Sequence, residues 1–104
     1  MKTTPLSDTN GNHVGELVEC PACGYGHLFR TVPHENLPVW TFNGDRDKPT
    51  FSPSMLVNSR THVTNPDAIL CHSFVRDGKF EFLSDCSHAM AGKTVEIAEV
   101  DPCT

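Results

Sequence analysis

Five cysteines, six histidines and a pair of serines astride one proline carry the chemistry open to this chain. Cys20-Pro21-Ala22-Cys23-Gly24 is a metal knuckle in which each position has a physical reason. Two thiolates two residues apart reach one tetrahedral ion. Proline stiffens the turn, and glycine accepts the positive φ that aims backbone N–H groups at the sulfurs. The second half of such a site lies far along the chain, at Cys71 and Cys86, on either side of a hairpin. Cys20, Cys23, Cys71 and Cys86 together make a closed Cys₄ set, and a closed set holds structural Zn²⁺ rather than a catalytic ion. A rival set exchanges one cysteine for His72 or His88. Cys103 stays outside the site in a short tail.

A second chemistry sits beside the first. An imidazole with an intrinsic pKa of about 6.5 suits proton transfer near neutrality, and a carboxylate fixes its tautomer. His72 and Asp85 form such a base and orienter. A hydroxyl held against the base completes a nucleophilic group. The candidates are Ser54 and Ser52 in Phe51-Ser52-Pro53-Ser54, where Pro53 rigidifies the backbone. Ser73 points to the opposite strand face from His72. The competing reading makes His72 an ordinary half-buried strand histidine and the serines turn residues.

The elements that must position these groups are strands. Asp77-Gly78 is a two-residue turn signal. It sets Arg76 against Lys79, Val75 against Phe80, Phe74 against Glu81, Ser73 against Phe82 and His72 against Leu83. Strand residues alternate between faces. Cys71 and Cys86 therefore share one face with Val75, Phe80 and Phe82, and His72 shares the other with Asp85 and Phe74. Further strands are expected at 15–19, 27–32 and 39–42, the last ending at Asn43-Gly44. An apolar run at 55–57 and an alternating strand at 94–100 complete the pattern. Trp40, Phe42 and Phe51 belong to the core, the charged loop 45–48 is solvated, and 89–92 makes one helical turn.

With 104 residues, the chain supports one small domain, a β-rich α+β fold of short antiparallel strands stapled by the knuckle. Residues 1–12 read as an N-terminal tail, 13–100 as the domain and 101–104 as a C-terminal tail. Hydrophobic content of 38% is low for so short a chain, so bound metal is the natural reinforcement. A net charge of −5 with eight Lys+Arg argues against non-specific nucleic-acid binding. No apolar stretch suits a secretion signal or a membrane span, which places the chain in the cytoplasm, with thiols free to bind metal.

Several linked motifs carry a resemblance: Trp40-Thr41-Phe42-Asn43-Gly44-Asp45, Lys48-Pro49-Thr50-Phe51-Ser52-Pro53-Ser54, Cys71-His72-Ser73-Phe74-Val75 and Asp85-Cys86-Ser87-His88-Ala89-Met90-Ala91-Gly92. With the knuckle they resemble, from about Cys20 to Ile97, a family of small zinc-knuckle proteins of tailed phages and bacteria. That family commonly carries the label "ammonia monooxygenase", a name at odds with so small a soluble chain. Its larger relatives resemble components of bacterial operons that encode ubiquitin-like proteins with their activating and conjugating enzymes. The resemblance implies a peptidase or isopeptidase that processes or removes a ubiquitin-like tag, in the host-cell cytoplasm for a phage copy. Its substrate would be a protein or peptide. Two other functions are open at this point. One is a metallopeptidase whose zinc takes three protein ligands and water. The other is a non-catalytic zinc module that binds and inhibits a host protein.

Overall fold

The computed structural model describes residues 1–58, 64–65 and 67–100. Cys103, the expected C-terminal tail and His62 lie outside the described residues. Eight strands form among them: β1 (Thr4–Ser7), β2 (His13–Glu19), β3 (Gly26–Arg30), β4 (Thr41–Phe42), β5 (Phe51–Val57), β6 (Cys71–Arg76), β7 (Lys79–Phe82) and β8 (Thr94–Glu96). They make two antiparallel sheets, one in the order β1-β2-β3 and one in the order β4-β5-β6-β7-β8. The β-rich expectation is met, and no helix long and apolar enough to cross a membrane occurs among the described residues.

The β6–β7 hairpin has the expected register, with Arg76↔Lys79, Val75↔Phe80, Phe74↔Glu81 and Ser73↔Phe82 paired across Asp77-Gly78. Both turn residues take positive φ, as a tight hairpin turn with right-handed twist requires. The inward parity of the larger sheet gives the core: Phe51, Met55, Val75, Phe80 and Phe82 are buried with Val18, Phe29 and Ile97. The sheets meet where Phe29 of β3 stacks on Phe51 of β5, with ring centroids 4.4 Å apart. Trp40 and Phe42 pack against this cluster, as expected.

Three expectations are corrected. Residues 1–12 are no tail: Thr4–Ser7 pair with β2, Thr3 is fully buried and the terminal ammonium reaches Glu99 at 2.9 Å. A Pro-containing, polar segment hides its strand character, because an edge strand tolerates proline. The loop at 45–48 is not wholly solvated. Arg46 holds the fully buried Glu16 at 2.7 and 3.2 Å, and the Thr3 hydroxyl donates to the same carboxylate at 2.8 Å. Finally, the last strand is three residues long, and 89–92 forms hydrogen-bonded turns rather than a helix.

Candidate active site and thiol cluster

Alternation along β6 divides the site in two. Cys71, Ser73 and Val75 point into the core, whereas His72, Phe74 and Arg76 point outward. On the outer face His72 Nδ1 lies 3.0 Å from Asp85 Oδ2, and Nε2 lies 3.2 Å from Ser54 Oγ. A carboxylate only accepts, so Nδ1 carries the proton toward Asp85 and Nε2 is left to accept from the serine hydroxyl. The His72 side chain is 24% exposed and that of Asp85 54%, so the group stands on an open sheet face. Beside it, Arg76 lies 4.0 Å over the Phe74 ring and pairs with Glu81 at 2.9 Å.

The backbone explains how Asp85 arrives there. β7 ends at Phe82, and the chain runs on beside β6 through a turn closed by Cys86 N–H on the Leu83 carbonyl at 3.2 Å. Leu83 N–H donates to the His72 carbonyl at 2.9 Å. His72 N–H donates to Cys86 Sγ at 3.2 Å, and the Cys86 thiol donates to the His72 carbonyl at 3.1 Å. Three bonds thus clamp the His72 peptide to the segment that carries Asp85. Ser54 is set by an irregularity in β5. The β5–β6 register shifts between Phe51 and Met55, so Ser54 sits in the shifted stretch, and its carbonyl accepts from Trp40 Nε1 at 3.3 Å. Of the two candidate serines, Ser54 meets His72. Ser52 is exposed and contributes its carbonyl to the Thr41 hydroxyl instead.

The inner face gathers sulfur. Cys20, Cys23, His27 and Cys71 place their ligand atoms within 4.8 Å of one another. The knuckle closes as its composition requires: Gly24, at φ +78°, donates to the Cys20 carbonyl at 3.0 Å, and Cys20 N–H reaches the Tyr25 carbonyl at 3.0 Å. A hydrogen bond from the Cys71 thiol draws Cys20 down to about 4, whereas burial pushes Cys23 up to about 11. Cys71, as donor to Cys20, is held far above the usual thiol range. His27 is buried, and its Nε2 has no hydrogen-bond partner among the described residues. Three sulfurs and an orphaned imidazole nitrogen fit a metal ion in both count and chemistry.

Beside Cys20, Cys23 and Cys71, the fourth donor within that distance is His27, where the sequence pointed to Cys86. Cys86 falls in an adjoining group with Cys71 and His88, also within 4.8 Å. His88 Nδ1 accepts from Met90 N–H at 3.2 Å, and its buried Nε2 has no partner among the described residues. His27 is absent from the ligands expected of the sequence; the signal that could have found it is the spacing Cys20-x₂-Cys23-x₃-His27 between two strands that pair with each other.

No curated protein and no solved structure matches the chain. The model of a family described as "Bacterial ubiquitination-like system serine protease (BubE)" matches residues 3–83, a span that includes Ser54 and His72 and ends just before Asp85. That span covers most of the 104 residues, and the chain belongs to this family of bacterial ubiquitination-like system serine proteases.

Proposed function

We propose that the protein is a serine peptidase or isopeptidase that cleaves the bond after the tail of a ubiquitin-like protein. One observation carries the reading: the continuous chain Ser54 Oγ–His72 Nε2, His72 Nδ1–Asp85 Oδ2, at 3.2 and 3.0 Å. In this reading Ser54 Oγ attacks the carbonyl carbon, and its proton passes to His72 Nε2. Asp85 stabilises the imidazolium that forms without itself taking the proton. The tetrahedral adduct collapses as His72 returns the proton to the leaving amine, whose C–N bond breaks. Water, deprotonated by the same imidazole, then attacks the ester and releases the tail carboxylate together with Ser54. The family description supports this substrate class, and the open setting of Asp85 suits a protein substrate.

Cys20, Cys23, His27 and Cys71 would hold Zn²⁺ in a closed Cys₃His set, where it supplies folding free energy. The donors lie on the inner face, with Cys20 2% and Cys71 0% exposed, and His72 is not among them. That separation favours a structural metal over a hydrolytic one.

The test is hydrolysis of a ubiquitin-like protein fused at its C-terminus to a reporter. Wild-type protein should release the reporter. Ser54→Ala and His72→Ala should not, at unchanged circular dichroism and metal content. Full activity in either variant refutes the mechanism.

A further inference from the structure

Past Ser52, β5 has no further strand on its β4 side among the described residues, and the hydrogen bonds around His72 show which backbone groups lie there. His72 uses both its N–H and its C=O toward the β7 side, to Cys86 and Leu83. Successive residues of a strand turn these groups to opposite sides. Cys71 and Ser73 therefore carry the ladder to β5 through Val57 and Met55, and Leu56↔His72 is a pair without mutual hydrogen bonds. The N–H and C=O of Leu56 consequently point away from β6. Ser54 lies in the shifted stretch, and its carbonyl meets Trp40 Nε1 on that same side. β4 pairs with β5 at Phe51 and Ser52 and goes no further. The Leu56 N–H and C=O thus face the β4 side beyond the reach of β4, and no hydrogen bond joins them to a turn or loop among the described residues. The Leu56 side chain is 51% exposed and stands across from His72 on the outer face.

We propose that this edge is the substrate strand site: the extended segment before the scissile bond pairs with β5 at Leu56, two residues from Ser54. It exchanges backbone hydrogen bonds there and lays an apolar side chain on Leu56. The inference rests on the reading of Ser54 as nucleophile, because the edge starts at that residue and leads the bound chain to its Oγ. A donor and an acceptor of one residue turned to an edge are complemented by another extended backbone. The ligand class is therefore a flexible protein tail, recognised through its main chain with few side-chain pockets. The rival occupant of an open edge is a second copy of this chain.

The probe is acetyl-Thr-Leu-Arg-Leu-Arg-Gly-Gly-amide, in which leucine recurs every second residue, titrated into the Ser54→Ala protein. A set of peptides methylated at one backbone nitrogen each follows. Strand pairing predicts an alternating pattern, with affinity reduced about tenfold at every second amide and nearly unchanged between. The bound parent peptide should also slow hydrogen exchange of the Leu56 amide at least about tenfold. Leu56→Pro removes the N–H that faces the edge without breaking a bond to β6, and it should weaken the peptide about tenfold. No binding at millimolar peptide, losses without alternation, or unchanged exchange at Leu56 overturns the proposal. A dimer in sedimentation that Leu56→Pro converts to monomer assigns the edge to a second copy and overturns it too. Binding to Ser54→Ala reads the edge alone. A peptide that binds with the alternating pattern, beside a wild-type protein that cleaves no fusion, refutes the proposed function and leaves the edge intact.

Discussion

The two faces of β6 are built from the same six residues and yet are chemical opposites. Outward, His72 stands in partial solvent between a serine and a carboxylate, each held by one hydrogen bond. Inward, Cys71 has no exposed surface and joins two more thiols and an imidazole. One peptide bond separates them. The period of two in a strand thus lets adjacent residues serve unrelated tasks. A polar, hydrated face can gain and lose protons during turnover. A buried donor set is better used once, in folding.

That comparison breaks most sharply under substitution on each face. Ser54→Ala or His72→Ala should lower kcat about 10⁴-fold, and the double variant should be hardly worse, because groups that act as a unit do not add. Independent, additive losses would sever the outer face into unrelated residues. On the inner face, His27→Ala and Cys20→Ser should reduce zinc far below about one per chain and abolish cooperative unfolding. Cys86→Ala should keep its zinc. Elemental analysis of the three variants decides between a Cys₃His set with His27 and a Cys₄ set with Cys86.

A smaller effect lies outside both faces. Arg46→Ala leaves the Glu16 carboxylate buried with one charge partner fewer and should cost about 3 kcal/mol in urea unfolding. Metal content should not change. A cost near zero would mean that the Thr3 and His13 contacts satisfy Glu16 without Arg46. The smallest effect sharpens the boundary between the faces. Cys86→Ala removes the thiol that clamps the His72 peptide, and should lower kcat about tenfold at constant KM, with Cys86→Ser recovering most of it. Equal loss in both variants would assign Cys86 to packing alone.

Much of this division was legible in the sequence. Asp77-Gly78 pinned the hairpin register, and parity then put His72 with Asp85 and Cys71 with Cys86. What parity cannot supply is the path of the chain once a strand has ended. Past Leu83 the chain turns beside His72, so Cys86 meets a peptide group rather than the knuckle. His27 was missed for a related reason. Its closeness to Cys20 depends on β3 returning beside β2, with Val18↔His27 paired. The N-terminal strand was hidden by proline and polar residues, and its anchor Glu16 by the assumption that charges stay in water. The shifted register in β5 that brings Ser54 rather than Ser52 to His72 leaves no mark in spacing at all.

The central claim, that Ser54 is activated by His72 and Asp85, is tested most directly by covalent capture. A fluorophosphonate reacts with a serine oxygen whose proton a neighbouring base removes, and mass spectrometry locates the adduct. The account predicts one adduct per chain, on the peptide containing Ser54, formed by wild-type protein and absent in His72→Ala. An adduct on Ser52 or Ser73, or undiminished labelling of Ser54 without His72, would contradict it.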